Sequence, residues 1–523
     1  MTRQTEKYTL NKTKNATKGI LAGLLNRVIT LLLPFVVRTI LIKKIGIDYA
    51  GLNSLFVSIL QVLNLAELGF SSAIVYSMYK PVAEQDHPTI CALLRFFRRI
   101  YRIIALVVLV GGLAVMPFLR DMIKSGAPAD INIYIIYLMF LFNTCISYAL
   151  YGYKTSILNA YQRVDIISHV GSITSLALSI CQILVLLLTS NFYLYIAILP
   201  ITTIANNLIT SYIVDKQFPQ YKCTGSLSKE LRRDIWKKVA GLTIQKLCAT
   251  SRNTFASIFI SAFISLSIVG IYNNYYLVFA ALTGIMGLVP AAMTGGIGNE
   301  VQVESVEENY RTLQKFNLLY MWISTVITVS LFALYQPFME IWMGKEYMFG
   351  YSTVWLLVIY FYILKMGDIR SIWVDAVGLY WEIKWRAVLE AALNLVLNFI
   401  FIQLWGVNGL IIGTSISLFL INFIYSSSIT FKYYFGYERL MPYYLVQMGH
   451  FAVMLGLCGL AYICFTNMDT YFGITNPWVS LPIRLVLALI LTNAVLYVCF
   501  CKTKSYKMAK SWLQLKLNRT KDC

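Results

Sequence analysis

Charged side chains occur inside apolar stretches of this sequence, where a membrane would leave them without bulk water. In the stretch 19–42, Arg27, Thr30, Pro34 and Arg38 follow helical spacing and therefore share one face. A charge near the centre of a bilayer costs a few kcal/mol or more, so it persists where it faces protein or a wet cavity. Arginine binds phosphate and carboxylate groups well, so this face predicts a site for an anion.

A second apolar stretch, 239–264, repeats the arrangement around Lys246. The polar residues that widen its face are Gln245, Thr250, Arg252 and Asn253. Two interpretations stay open for Arg27, Lys246 and Arg252: a cationic cleft for substrate, or structural pairing with Glu67. Arg38 belongs to the same candidate cleft, although its place near the end of its stretch also allows it to reach water along the membrane surface.

Carboxylates in apolar stretches are candidates for binding a proton or a sodium ion. Glu67 shares a helical face with Asn64, which is a further candidate for lining the cleft. The stretch 351–376 contains four charged residues: Lys365, Asp368, Arg370 and Asp375. Lys365 and Asp368 stand three residues apart and can neutralise each other, so ion coupling and simple charge pairing are both open for this group.

The composition places these stretches in a membrane. The chain has 523 residues, of which 58% are hydrophobic and 13% are charged, and its mean hydropathy is +0.66. Blocks of roughly 20 apolar residues are long enough to cross the hydrocarbon core as helices. Continuous blocks without two-residue alternation exclude a transmembrane barrel. We therefore predict an all-α, polytopic membrane protein with about 14 transmembrane helices.

The predicted spans group into two six-helix lobes followed by two C-terminal helices. The predicted divisions are a cytoplasmic tail (1–18), an N-lobe (19–214), a basic linker (215–238), a C-lobe (239–430), helices 13 and 14 (431–501) and a basic tail (502–523). Most of the 44 lysines and arginines fall in the tails and in alternate loops. The positive-inside rule then predicts that both termini are cytoplasmic.

The two lobes show a faint internal repeat. A shift of 219 residues lays IGIDYAGLNSLFVSILQVL, from Ile45, over ISLSIVGIYNNYYLVFAAL, from Ile264, and brings Gly51 onto Gly270. The same shift brings Arg27 onto Lys246. Such repeats are common in transporters, whose substrates bind between the repeats.

The sequence lacks the motifs that several other functions require. The sequence contains no phosphate-binding GxxxxGK[ST] loop, HExxH or paired CxxC, so we expect no cofactor and no metal. The net charge of +20 is explained by topology and attraction to anionic membrane lipids, so we expect no nucleic-acid partner. No catalytic constellation is recognisable, which argues against an enzyme.

The stretch IGIDYAGLNSLFVSILQVLNLAELGFSSAIVYSMYKPVAE, from Ile45 to Glu84, resembles the region of helices 1 and 2 in bacterial polysaccharide-transport flippases. These are the Wzx-like members of the multidrug/oligosaccharidyl-lipid/polysaccharide (MOP) exporter superfamily. The resemblance implies movement of undecaprenyl-pyrophosphate-linked oligosaccharide from the cytoplasmic to the external leaflet, for capsule, exopolysaccharide or a related wall polymer. It also implies a place in a bacterial plasma (inner) membrane and contact with polymerase or assembly proteins. Two lobes in one chain favour a monomer.

Three alternatives remain. A multidrug or small-molecule antiporter of the same superfamily should carry a carboxylate in its first helix, where this chain has arginines. A membrane glycosyltransferase, polymerase or ligase needs exposed catalytic loops, and the external loops predicted here are short. A scaffold without transport activity leaves the cations in the apolar stretches unexplained.

Overall fold

The described structure is all-helical, as the sequence predicts. A computed structural model describes residues 30, 32–67, 69–472 and 476–519, except for the side chains of residues 65–66, 240–253, 467–472 and 515–519. No strand occurs among the described residues. The chain is thus a multi-pass, all-α membrane protein.

The first ten helices run from the start of the described chain to the middle of the sequence. They are α1 (32–44), α2 (Ile47–Leu63), α3 (Phe70–Ala83), α4 (His87–Val115), α5 (Ile133–Ala149), α6 (Thr155–Ala160), α7 (Val164–Leu188), α8 (Phe192–Gln217), α9 (Lys229–Phe263) and α10 (Leu266–Met286).

The remaining helices follow directly from α10. They are α11 (Leu288–Val303), α12 (Val306–Met343), α13 (Tyr351–Lys365), α14 (Asp368–Val377), α15 (Lys384–Ser417), α16 (Ser426–Thr430), α17 (Leu440–Phe472), α18 (Pro477–Phe500) and α19 (Lys504–Arg519). π-helical segments, Leu418–Tyr425 and Phe431–Phe435, lie on either side of α16.

Short polar side chains fix where several of these helices begin. The side chains of Asp86, Asn132, Asn191, Ser228 and Ser305 accept hydrogen bonds from backbone N–H groups in the first turns of α4, α5, α8, α9 and α12. Such caps satisfy donors that have no partner within the helix. Hydrogen bonding to Thr89 also lowers the pKa of the Asp86 carboxyl.

The length and composition of the helices agree with a membrane protein. Nine helices in the described part of the chain are long and apolar enough to cross a membrane, or ten if the bent pair Ile133–Ala149 and Gly152–Ala160 forms one span. One of the nine, Lys384–Phe435, is 52 residues long. The total of 14 spans stays a prediction.

The long helix Lys384–Phe435 folds back on itself. Trp405 and Gly406 leave helical geometry, and Gly406 has a φ of 58°. Side chains on either side of this break meet, because Asn398 donates a hydrogen bond to Thr414 at 3.2 Å. Sixteen residues of straight helix would span about 24 Å, so α15 is a helical hairpin. It contains predicted span 11 (387–404) and the start of predicted span 12 (406–430).

The α7 helix shows which surfaces face lipid. Its exposed side chains include Ile173, Leu176, Ile180 and Leu184, at helical spacing. Its buried side chains include several polar ones, among them Ser168, Ser172, Ser179 and Gln182. A polar interior behind an apolar exterior is the arrangement that suits hydrocarbon as the solvent.

The chain divides into two compact units, Met1–Gly270 and Ile271–Cys523. In the first unit, α8 packs against α5 and α7, and α9 packs against α2 and α3. In the second, α12 packs against α13, α17, α18 and α19. The lobe boundaries that the sequence predicts at 19–214 and 239–430 stay a prediction.

The hairpin in α15 depends on glycine. A Cβ atom on Gly409 would lie 1.9 Å from the carbonyl oxygen of Phe401, which belongs to backbone and cannot move aside alone. We expect Gly409→Ala to lower the free energy of unfolding by about 2 kcal/mol, the usual cost of overpacking. Thermal unfolding of the purified protein in detergent measures this. Gly456→Ala in α17 is the matched control, because its Cβ would meet no atom within 4 Å. Equal unfolding temperatures for the two variants would contradict the hairpin.

Candidate functional site

Arg38 joins three helices of the first unit. It lies on α1, donates to the Ser54 hydroxyl on α2 at 3.2 Å, and donates to the backbone carbonyl of Gly270 on α10 at 3.0 Å. The side chain is half-buried. Arg38 is therefore held by protein groups on α2 and α10.

Close to Arg38, α2 crosses the first turn of α10 at two glycines. A Cβ on Gly51 would lie 2.0 Å from the carbonyl oxygen of Leu266, and a Cβ on Gly270 would lie 2.8 Å from that of Ile47. The two helices therefore touch backbone to backbone. Only glycine permits this distance, because any side chain would collide with a carbonyl group.

The two glycine contacts at this crossing are equivalent under the 219-residue shift found in the sequence. The shift relates Ile47 to Leu266 and Gly51 to Gly270, so each contact maps onto the other. It also relates Asp48 to Ser267, and the Ser267 hydroxyl donates to the Asp48 carboxylate at 2.5 Å across 219 residues. A residue that bonds its own equivalent is the pattern of a local twofold axis, which supports the repeat at this point.

The connection between α4 and α5 covers the turn between α9 and α10. The Ser261 hydroxyl donates to the carbonyl of Met122 at 2.6 Å, and Lys124 Nζ donates to the carbonyl of Phe263 at 2.7 Å. A lysine at the end of a helix satisfies an orphan carbonyl and complements the helix dipole. These two hydrogen bonds thus hold the α9–α10 turn against the connection between α4 and α5.

Glu67 lies where α2 gives way to a 3-10 helical turn, Asn64–Glu67. Its carboxylate accepts a hydrogen bond from the hydroxyl of Tyr101 on α4 at 3.0 Å. The carbonyl oxygen of the Asn64 side chain is buried and has no hydrogen-bond partner. Both residues were predicted from their shared face, and the structure places them on the same short turn.

The four charged residues of predicted span 10 (351–376) have three different environments: an ion pair, a buried arginine and an exposed carboxylate. Lys365 Nζ lies 2.9 Å from Asp368, which also accepts from the hydroxyl of Tyr320 at 2.6 Å. Lys365 is 4% exposed. Asp375, at the far end of α14, is exposed.

Arg370 is buried among neutral acceptors. Its guanidinium donates to Ser426 Oγ at 2.5 Å, to Thr430 Oγ1 at 3.2 Å and to the backbone carbonyl of Asn422 at 3.1 Å. Asn422 lies in the π-helical segment before α16. The geometry assigns Arg370 a structural contact between α14 and the last part of predicted span 12.

The other predicted residues lie outside the described part of the chain or at its edge. Arg27 is outside the described residues, and so are the side chains of Gln245, Lys246, Thr250, Arg252 and Asn253 on α9. Thr30 is described and exposed. The cationic cleft therefore stays a prediction at all its positions.

Sequence reasoning missed a polar cluster inside the α15 hairpin. Asn394 donates to Thr414 and Ser417 at 3.2 Å, and Asn398 donates to Asn394 at 3.2 Å. All four side chains are buried. The signal was present as two asparagines four residues apart in an apolar stretch, which places them on one face.

Residues 16–294 match the family described as "Polysaccharide biosynthesis protein", which is more than half of the chain. The chain belongs to this family. The resemblance read from Ile45 to Glu84 is confirmed. A search of curated proteins found no match.

Solved structures show which fold this family member has. It is similar to "Lipid II flippase MurJ, inward closed conformation", with a TM-score of 0.62 and 14% identity over 92% of this chain and 98% of that one. It is also similar to an inward-facing MATE family transporter of the MOP superfamily, with a TM-score of 0.57 and 14% identity over 79% of this chain and 95% of that one. A third similar structure is that of a Vibrio cholerae MATE transporter, with a TM-score of 0.52 and 15% identity over 80% of this chain and 96% of that one. The chain therefore has the fold of MOP transporters.

The crossing of α2 and α10 can be tested by crosslinking. Asp48 and Ser267 are in hydrogen-bond contact, so cysteines at these positions, in a variant without other cysteines, should form a disulfide rapidly under mild oxidation. Adding Gly51→Ala should slow this reaction about tenfold, because the new Cβ would collide with Leu266. A matched Gly111→Ala substitution meets only a flexible leucine end at 3.2 Å and should leave the rate unchanged. A Gly51→Ala variant that crosslinks at the original rate would contradict the crossing.

Substitutions of Lys365 and Asp368, singly and together, test whether the two residues form a structural ion pair. Asp368→Asn leaves Lys365 buried without its carboxylate, which should cost about 3 kcal/mol of unfolding free energy. Lys365→Met together with Asp368→Asn should recover most of that loss, because the pair disappears as a unit. Chemical denaturation in detergent gives the three values. If the losses in the single variants simply add in the double variant, the two residues are not a pair.

Proposed function

We propose that this protein is a flippase for undecaprenyl-pyrophosphate-linked oligosaccharide, which it moves from the cytoplasmic to the external leaflet of a bacterial plasma membrane. The observation that carries the proposal is the combination of two matches. The family is one of polysaccharide biosynthesis, and the fold of a lipid II flippase extends over 92% of this chain and 98% of its own length.

The rival function is small-molecule antiport, because MATE transporters share the fold. Their structures extend over 79% and 80% of this chain, less than the flippase does. The cations also favour the flippase, since arginine and lysine inside the spans would repel a cationic drug and attract a pyrophosphate. Membrane lipids, the lipid-linked oligosaccharide and polymer-assembly proteins are the proposed partners, and a monomer is the proposed unit.

The proposed mechanism is alternating access without covalent chemistry, so we propose no enzymatic activity and no cofactor. Arg27, Lys246, Arg252 and Arg38 are the proposed cationic cleft for the pyrophosphate, with Thr30, Gln245, Thr250 and Asn253 as polar lining. The crossing at Gly51 and Gly270 is the proposed external closure, because the positive-inside rule places the α1–α2 turn outside. Opening to the outside then requires this contact to separate.

The proposed energy source is the membrane potential, an ion gradient or consumption of the product outside. One charge moved across 100 mV is worth about 2.3 kcal/mol. Glu67, Asp368 and Asp375 remain the candidate carboxylates for coupling. Structural roles are proposed for Lys365 and Arg370. Lys365 pairs with Asp368, and Arg370 donates to neutral acceptors.

A leaflet-exchange assay tests the function. Purified protein in liposomes with a labelled undecaprenyl-pyrophosphate oligosaccharide should expose the label to a membrane-impermeant reagent. Arg27→Ala and Lys246→Ala should slow the exchange at least tenfold, because each removes a proposed pyrophosphate ligand. Lys80→Ala removes the same charge from a side chain that is 83% exposed and should leave the rate unchanged. If wild-type protein exchanges none of several glycans, the antiporter function replaces this proposal; if the cleft variants match wild type, the flippase stands and the cleft does not.

A further inference from the structure

The helix α19 begins only three residues after α18 ends. Thr503 Oγ1 accepts a hydrogen bond from the backbone N–H of Tyr506 at 3.3 Å, which caps the start of the new helix. Three residues of extended chain reach about 11 Å at most. Because α18 is long and apolar enough to cross a membrane, α19 begins close to a membrane surface.

One face of α19 packs along α12, in the same compact unit. The rings of Tyr506 and Trp322 have centroids 6.0 Å apart, and those of Trp512 and Phe316 have centroids 5.2 Å apart. Residue numbers therefore rise along α19 where they fall along α12, so the two helices run antiparallel. Ala509, which shares the face of Tyr506 and Trp512 by helical spacing, is buried.

The contact with α12 fixes the depth of α19 in the membrane. Charged residues occur on α12 up to Lys315, and none occurs in 316–339. A helix over this stretch is about 36 Å long, slightly more than the hydrocarbon core of about 30 Å. Phe316 and Trp322 therefore lie close to one edge of the core, where aromatic residues are common. The first turns of α19, which contact these two residues, lie at the depth of lipid headgroups.

The opposite face of α19 is basic. Lys504, Lys507 and Lys510 stand three residues apart on this face, and all three side chains are exposed. We call these residues the lysine face. The segment 501–519 contains no aspartate or glutamate. Among the described residues, no ion pair involves a residue of the lysine face.

The carboxylates at the start of α12 are engaged with other cations. Glu307 lies 2.7 Å from Arg439, and Glu308 lies 2.6 Å from Arg311. Anions for the lysine face must therefore come from outside the described ion pairs. Lipid phosphates already lie at the depth of these lysines, whereas a soluble acidic protein would have to reach them through the headgroup layer. An amphipathic helix with lysines on its polar face is typical of binding to anionic membranes.

We propose that the lysine face binds anionic phospholipid headgroups in the leaflet where α18 ends. The lysine ammonium groups donate hydrogen bonds to lipid phosphates, while Tyr506 and Trp512 hold the helix against α12 at the depth that this contact requires. In the predicted topology this leaflet is the cytoplasmic one. The proposal concerns bulk membrane lipid and does not depend on what the protein transports.

Lipid titration tests the proposal. The full-length protein in a neutral detergent is titrated with phosphatidylglycerol, which is anionic, and with phosphatidylcholine, which has no net charge, and native mass spectrometry counts the bound lipid. Wild type should bind phosphatidylglycerol at least tenfold more tightly than phosphatidylcholine. The triple variant Lys504→Gln, Lys507→Gln and Lys510→Gln should raise the Kd of phosphatidylglycerol at least tenfold and that of phosphatidylcholine less than twofold. Glutamine removes the charges and keeps a high helix propensity.

The matched control removes three charges from lysines that already pair with carboxylates: Lys80→Gln, Lys238→Gln and Lys345→Gln. It should leave the Kd of phosphatidylglycerol within twofold of wild type. Arginine at all three positions of the lysine face keeps the charge and should also bind as wild type does. Lys507→Gln alone, the variant to use if the triple variant does not fold, should raise that Kd about threefold.

Three outcomes would overturn the proposal. A wild-type protein that binds both lipids equally would leave the lysine face to an acidic protein partner. An equal loss of affinity in the control and in the glutamine variant would show that only the net charge of the protein matters. A loss in the arginine variant would show that the lysines act through the structure of α19 and not through their charge. None of these results bears on the flippase function, which the leaflet-exchange assay tests separately.

Discussion

Hydrocarbon offers no hydrogen bonds, so polar groups inside a membrane span take their partners from the protein or from a wet cavity. The described structure follows from this constraint. Leucines and isoleucines of α7 face outward while its serines face inward. In the second unit, the asparagines of α15 bond one another and Thr414. Polar residues thus determine which helix faces meet, whereas in a soluble protein the apolar residues do so.

The same constraint explains the irregular helix around α16. Arg370 brings a positive charge into the second unit, and one of its acceptors is the backbone carbonyl of Asn422. Asn422 belongs to a π-helical segment, Leu418–Tyr425. Where a helix changes from α to π geometry, its regular hydrogen-bond ladder shifts and a carbonyl can turn towards another donor. The π-helical segment therefore provides a backbone carbonyl acceptor that, in a regular α-helix, would be bonded within the helix.

The sequence predicted the helical class, the main spans and the correspondence of Gly51 with Gly270, because each depends on a local pattern or a constant shift. It did not predict that Arg38 bonds the carbonyl of Gly270, since a contact over 232 residues leaves no trace in helical spacing. The hydrogen bond from Tyr101 on α4 to Glu67 was missed for a related reason. The two residues lie on different helices, so no spacing within one stretch predicts their contact.

The proposed substrate makes opposite demands at its two ends. A pyrophosphate needs cations, whereas sugar hydroxyls are well served by a carboxylate and amides. The protein must therefore offer two kinds of surface to one headgroup, a cationic one for the pyrophosphate and one rich in hydroxyls and amides for the sugars. The apolar tail makes neither demand, so it can stay in the bilayer while the polar part crosses.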